Sequence, residues 1–258
     1  SLTWAKTDAL TFFADIAAGY SRTRQFQDVL SWEYQDANGS EDGIFYNAHD
    51  DALDLWHRNF TPEEMGGLSK GYIKNVSKTF SITPGVKGSL GGGWDYEAYY
   101  NFSQYKSSIS WPKVVNAKAT AFFLGPQLGV DEDSGYAIFD ADPARLYTPL
   151  TPAEYASITD RTTYRPVARQ QNLSFQVNKA ELFTLPAGPV GFAAVAEYGK
   201  QSYKLGLDPL ATQNHYYGLR DADGDGSRTH AGVGYEFRAP LLSTLELSTA
   251  GRYDSYKY

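Results

Sequence analysis

Cysteine is absent from the 258 residues. No disulfide framework and no thiolate metal site can exist. No run of about 18 apolar residues is present, which excludes a transmembrane helix. No contiguous block of Lys and Arg is present either, and the net charge is −7. Phosphate backbones are held by clustered basic side chains, so nucleic acid is not expected as a partner. GxSxG, P-loop, Rossmann and HExxH patterns are all missing, and no nucleophile–base pairing is visible. The chain does not read as an enzyme. Ser1 is preceded by no basic and apolar leader, so the sequence reads as an internal piece of a longer protein.

What is abundant is Tyr (20), Phe (14) and Gly (24). Aromatic and Gly-rich chains favour strands and turns. The mean hydropathy of −0.45 does not argue against a membrane β-barrel, whose strands are only half apolar.

Period-2 alternation predicts seven strands. They lie at 8–20, 76–90, 94–103, the two arms of a hairpin over 172–203, 231–239 and 245–254. The hairpin turns at Pro186-Ala187-Gly188-Pro189, and its first arm needs a one-residue phase slip near Asn178, from Leu173, Phe175 and Val177 to Ala180 and Leu182. Long connections (21–69, 107–166, 206–228) alternate with short turns such as Gly91–Gly93. Turn pairs Asn38-Gly39 and Asp42-Gly43 mark the first long connection. Thr61-Pro62-Glu63-Glu64 and Thr151-Pro152-Ala153-Glu154 predict short helices inside the first two.

The two strand faces differ in charge. On the six strands that need no slip, counted from Phe80 in the second, 32 apolar-face positions hold no Asp, Glu, Lys or Arg. A chain with 21% charged residues would place six or seven there by chance. Glu97, Glu197, Glu236, Arg238, Arg252 and Asp254 fall on the opposite face, where salt bridges are expected. A soluble β-sandwich also alternates. It does not require every long loop to emerge on one side. The fold class expected is all-β: an antiparallel up-and-down meander of about seven strands, part of a large transmembrane β-barrel, with long extracellular loops carrying short helices.

Residues 182–203 (LFTLPAGPVGFAAVAEYGKQSY) and 245–256 (LELSTAGRYDSY) resemble barrel strands of TonB-dependent outer-membrane receptors. Residues 145–155 (RLYTPLTPAEY) are similar to a loop of such receptors. The resemblance implies that residues 1–258 are a partial receptor barrel domain in the cell outer membrane. It implies active uptake of a scarce small-molecule nutrient bound at the extracellular loops. The implied partners are outer-membrane lipid, a plug domain of the same full-length chain and, through that plug, the TonB complex. The plug and its TonB box are not among these residues. The alternatives are a passive porin-type channel and a soluble all-β ligand-binding protein.

The candidate ligand contacts are the loop residues Trp56, His57, Trp111, Tyr136, Tyr147, Tyr216 and Tyr217, because aromatic rings stack on sugar or siderophore rings. Trp32, Tyr34, Phe45, Tyr46 and Tyr155 share those loops, and such rings can equally pack the loops together. Asp221, Asp223 and Asp225 alternate as in the start of a Ca²⁺ loop, yet the twelfth position is Gly232 rather than a bidentate Glu. An acidic turn is the competing reading, and no cofactor is otherwise expected.

Overall fold

The computed structural model describes residues 1–7, 9–26, 28–36 and 43–258. Asn38-Gly39 and Asp42 lie outside the described residues. The chain begins with β1 (Leu2–Thr7) and β2 (Leu10–Phe26). The first long loop holds β3 (Ser31–Glu33), β4 (Ile44–Asn47), β5 (Ala52–Leu55), β6 (His57–Asn59), α1 (Pro62–Met65) and a 3₁₀ turn at Leu68–Gly71. β7 (Tyr72–Gly91) and β8 (Trp94–Val114) form a hairpin. The second loop holds α2 (Asn116–Phe123), β9 (Gly129–Val130), β10 (Ala137–Phe139), α3 (Pro143–Tyr147), α4 (Pro152–Ile158) and β11 (Thr159–Tyr164). Then come β12 (Val167–Leu185), β13 (Gly188–Lys204), a 3₁₀ turn at Pro209–Thr212, β14 (Asp225–Leu242) and β15 (Leu245–Lys257).

The protein is all-β. Its main sheet runs β1-β2-β7-β8-β12-β13-β14-β15, with β11 paired to the upper part of β8. Every pairing in this sheet is antiparallel between chain neighbours in the meander. All seven expected strands are present, and β1 and β11 add to them. β8 runs on to Val114 rather than ending at 103. Among the described residues β1 and β15 are not paired with each other, so the sheet is open. No helix among the described residues is long and apolar enough to cross a membrane.

Both expected helix starts are present. Thr61 and Thr151 each close a capping box, with Glu64 and Glu154 at the third helical position. The short turns at the other end use the conformational freedom of Gly where it is needed: Gly91, Gly92 and Gly93 all have positive φ (83, 60 and 78°).

The phase slip in β12 differs from expectation. Lys179 pairs with Phe192 and Phe183 with Val190, so four residue steps on β12 oppose two on β13. Two extra residues restore the original parity instead of reversing it. Lys179 and Phe183 therefore share the face of Leu173, Phe175 and Val177, and Ala180 and Leu182 do not take it over. The Lys179 ammonium lies 5.6 Å from the Trp94 ring centre, so its charge rests on an aromatic face at the turn end of the sheet.

Directly paired residues share a face of a sheet. Trp4, Phe12, Val86, Ala98, Phe175, Ala196, Val233 and Tyr253 are successive partners across all eight strands of the meander. The next row on the other face reads Thr11, Lys87, Glu97, Gln176, Val195, Gly234 and Arg252. Among the described residues the apolar face has no covering layer. Ile16, Phe80, Leu173, Phe175, Tyr198, Val233, Leu247 and Tyr253 are all exposed on it.

The upper edge of this apolar face is oblique. Going towards the long loops, the main apolar run ends at Tyr20, Phe80, Phe102, Leu173, Tyr198, Ala231 and Tyr253 on β2, β7, β8, β12, β13, β14 and β15; Phe26, Val76, Tyr72, Val114 and Val167 lie beyond it on the same face, past polar or charged residues. Each of the seven ends is followed on the same face by a polar or charged residue: Arg22, Lys78, Gln104, Gln171, Lys200, Thr229 and Ser255. Tyr253 sits in the row of Phe12, eight residues along β2 from Tyr20. The edge thus slips eight residues over six strand-to-strand steps. With ~3.4 Å per residue and ~4.8 Å between strands, the slope is ~43° to the pairing rows.

The buried core lies elsewhere, in the long loops. Trp32, Phe45, Phe60, Phe123, Phe139 and Tyr155 pack with Met65, Leu124 and Ile158 into one cluster built from the first and second loops. The Trp32 and Phe123 rings stack with centres 4.6 Å apart. These two loops form a folded cap over one end of the sheet.

Candidate functional site

The cap is tied together by two polar residues that the strand pattern did not single out. Asn47 is fully buried. Its amide donates to Asp54 Oδ2 (2.9 Å) and to the Ala141 carbonyl (3.1 Å), and its oxygen accepts from the Ala141 N–H (3.0 Å). This joins the first loop to the second. Glu64 accepts from the backbone N–H of Thr61 (2.7 Å) and of Leu150 (2.8 Å) and pairs with Arg58. Burial raises the Glu64 pKa, but the two N–H groups and the guanidinium together hold it below the usual carboxylate value. The Arg58 guanidinium also donates to the Leu146 carbonyl and lies 5.5 Å from the Phe123 ring centre. The Thr61-Pro62-Glu63-Glu64 pattern marks the helix start. Nothing in it signals that Glu64 faces inward, and Asn47 carries no sequence signal at all.

The candidate ligand residues divide by exposure. Trp56 is 6% exposed and belongs to the cap core, its ring edge-on to Phe45. Trp32, Tyr34, Phe45 and Tyr155 are buried with it. Tyr155 has its pKa pushed to about 12 by burial and then by the Glu64 charge. Tyr147, at the end of α3, is 79% exposed. His57 is exposed, with Nδ1 3.5 Å from Glu33 Oε2 across the β3–β6 pair. Tyr136 is half-buried beside the turn that Ser134 and Asp131 close. Tyr217 is half-buried against the cap core.

Trp111, Tyr216 and Asp221 converge at the base of the third loop. The Trp111 and Tyr164 ring centres are 4.4 Å apart, and the Tyr164 hydroxyl donates to Asp221. Tyr216 is 1% exposed and packs with Val115, Ala211 and Leu219, with Tyr164 against the same cluster. Its hydroxyl donates to Asp208 (3.3 Å), which also accepts from Thr162 (3.2 Å). Burial and then the Asp208 charge push the Tyr216 pKa to about 12. Trp111 also borders a 430 Å³ cavity with Leu30, Ile73 and Lys113.

The three aspartates of the third loop do not converge. Asp221 is engaged by Tyr164, Asp223 accepts from the Gly224 N–H (2.9 Å), and Asp225 opens β14 opposite Lys204. Among the described residues no group of three or more His, Asp or Glu side chains is arranged to hold a metal ion.

The polar face of the sheet carries most of the charge network expected of it; Glu97 is in no ion pair among the described residues. Arg252 donates to Glu197 (2.6 Å) and to Asp254 (2.9 Å), and His230 Nε2 lies 2.7 Å from Asp254 Oδ1. Arg238 pairs with Glu236 and Glu246 (3.7 and 3.4 Å). Nearer the loops, a cavity of 960 Å³ opens on this face. Thr79, Ser81, Ser103, Gln170, Gln201 and Tyr203 line it with hydroxyls and amides. Arg228 borders it, donating to Gln201 (2.9 Å) with its guanidinium 5.1 Å from the Tyr256 ring centre. None of the seven candidate ligand residues lines this larger cavity.

No known protein family matches the chain, and no curated protein matches it. The family likeness of residues 182–203 and 245–256 rests on those short segments alone.

Proposed function

We propose that these residues are part of the wall and loop cap of an outer-membrane β-barrel receptor that takes up a small-molecule nutrient with energy delivered through TonB. One observation carries the membrane part: the uncovered apolar face with its oblique edge. Strands of outer-membrane barrels tilt by about 35–45° from the barrel axis. A membrane plane then crosses the pairing rows at that angle, and the edge here slopes at ~43°. Leu10 to Tyr20 spans ten residue steps of β2, which at ~3.4 Å each and that tilt is ~25 Å of height, the height of a barrel's apolar band. A soluble sheet has no reason to shift its apolar limit strand by strand.

The receptor part is supported by the cap and by the polar face. The two long loops form a folded layer with its own core, which can present fixed side chains such as Tyr147 to a ligand. The polar face, with its hydroxyl- and amide-lined cavity, suits contact with a polar plug or a hydroxylated solute. The TonB reading rests on the segment likeness.

Two measurements test this. The chain is expected to need detergent for extraction and to have its strands protected from protease in lipid vesicles. A monodisperse, folded, water-soluble chain would overturn the membrane reading. In cells making the full-length protein, uptake is expected to stop when the TonB complex is removed. Uptake that persists would point to a passive channel.

A further inference from the structure

The cap contains a small sheet of its own, ordered β5-β4-β10-β9. Its two faces differ. Phe45, Asn47 and Phe139 point into the cap and are buried. Ile44 pairs with Leu55, and Tyr46, two residues along β4, pairs with both Leu53 and Ile138. These five side chains share the other face. Leu53 and Leu55 are 51% and 56% exposed on it.

β5 is also the open edge of this sheet. Among the described residues it pairs with β4 alone, and the outer row of its N–H and C=O groups finds no backbone partner. An unpaired strand edge is a template for another strand. Strand addition takes main-chain hydrogen bonds from such an edge and selectivity from the side chains beside it.

Charge and size say what kind of strand fits. Residues 44–55 and 129–140 contain the four strands and the turns between them, with seven carboxylates and no Lys or Arg. The Tyr46 hydroxyl donates to Asp51; that bond first, and after it the Asp51 and Asp131 charges, raise its pKa. Two of the seven carboxylates therefore stand beside the apolar face. The wider cap repeats the bias. Residues 27–71 and 115–158 hold 16 acidic and four basic residues, a net charge of −12 in a chain whose total is −7. One of the four, Arg58, is already paired with Glu64. A field of that sign concentrates cations at the cap and repels anions. β5 is four residues long, an edge of ~14 Å, which matches a peptide of about five residues. It is far smaller than the ~800 Å² that each partner buries in a standard protein–protein interface.

We infer that the β5 edge and the Leu53–Leu55 face form a docking site for a short extended peptide in which basic side chains alternate with apolar ones. The peptide adds to β5 as a fifth strand of the small sheet. Its apolar side chains lie beside Leu53 and Leu55, and its basic ones meet the surrounding carboxylates. This goes beyond the transport reading and does not depend on it, because the site lies wholly within the cap.

The test uses the whole chain folded in a neutral detergent. The probe is an acetylated, amidated pentapeptide of three lysines alternating with two leucines, fluorescently labelled and followed by anisotropy. The same peptide with glutamates for lysines is expected to bind about tenfold more weakly or worse. The double variant Leu53→Ser/Leu55→Ser is expected to lose about tenfold or more at an unchanged melting temperature, since both side chains are exposed. Leu68→Ser, elsewhere on the cap, keeps wild-type affinity. Only alternate N–H groups of an added strand face the edge. N-methylation of the leucines, or instead of the lysines, is therefore expected to abolish binding in one form and spare it in the other. Equal binding of the lysine and glutamate peptides, undiminished binding by the double variant, or full binding by both methylated forms would overturn the proposal. So would competition by spermine as strong as by the parent peptide, which would reduce the site to charge alone. Detergent dependence and protease protection test the membrane reading separately: a water-soluble chain that binds the peptide in this way keeps the docking site and loses only that reading.

Discussion

Arg58 and Glu64 form an ion pair with side chains only 9% and 4% exposed. The pair is joined to the second loop through the Leu146 carbonyl and the Leu150 N–H. Removing one partner of a buried pair leaves the other charge uncompensated, at about 3–5 kcal/mol. Glu64→Ala is therefore expected to destabilise the cap by that amount and leave the wall folded. Hydrogen exchange would show this as lost protection at Leu150 and in α4, with β12 and β13 unchanged.

The cap should have an acid and an alkaline limit. The Glu64 pKa is below its ordinary 4.5 when folded, so its contribution is complete above that value and is lost as the pH falls through the lower folded pKa. Tyr155 in the cap, and Tyr216 in the cluster at the base of the third loop, are raised from 10.0 to about 12, so their contribution to these clusters is complete below pH 10 and lost as the pH rises through about 12. Tyrosinate absorbance followed against pH should show a fraction of the 20 tyrosines ionising late and together with cap unfolding. A single smooth titration near 10 would contradict this.

Gly232 sits between the charges of the polar-face network. A Cβ there would lie 2.6 Å from Asp254 Oδ1 and 3.0 Å from Arg252 Nη2. Gly232→Ala should push the two apart at a cost of about 1–3 kcal/mol. At Gly234 the nearest atom to a new Cβ is Val195 Cγ1, 3.3 Å away, so Gly234→Ala should cost less. Thermal unfolding of the two variants in the same detergent would order them.

How far the sequence alone reaches depends on whether a feature is local. Alternation is local, so the strands and their charge-free parity could be read directly, as could the two capping boxes at Thr61 and Thr151. β12 was misjudged because a two-residue insertion preserves parity, and Lys179 facing outward is visible only from its pairing with Phe192 and Trp94. Trp56 and Tyr216 looked like ligand contacts because an aromatic residue in a loop gives no sign of whether the loop has a core. Here the loops do have one.

Trp56 and Tyr147 should separate stability from recognition. Trp56→Ala removes a large buried ring and is expected to cost about 3–5 kcal/mol, so any effect on ligand capture would follow cap melting. Tyr147→Ala removes an exposed ring and should leave the melting temperature of the cap within error. If loop aromatics contact the nutrient, uptake by cells carrying Tyr147→Ala in the full-length protein should fall with normal surface expression. Unchanged uptake would remove Tyr147 from the contact set.

Ala98 occupies the middle of the apolar band on β8, paired with Val86 on one side and Phe175 on the other. Gln176 occupies the adjacent row at nearly the same height but on the polar face, opposite Glu97. In a lipid-facing wall an arginine at mid-band costs about 2–4 kcal/mol, whereas one facing the interior of a barrel costs little. Ala98→Arg should therefore impair folding into bilayers by that amount, and Gln176→Arg, placed beside a carboxylate, should be near neutral. Tyr20→Arg, at the edge of the band, should fall between about 0 and 1 kcal/mol. A soluble sheet with a solvated outer face makes a different prediction: the three substitutions would be equally tolerated, with no dependence on depth. Denaturant titrations of the three variants in lipid vesicles distinguish the two cases, because only a bilayer ranks Ala98 above Tyr20.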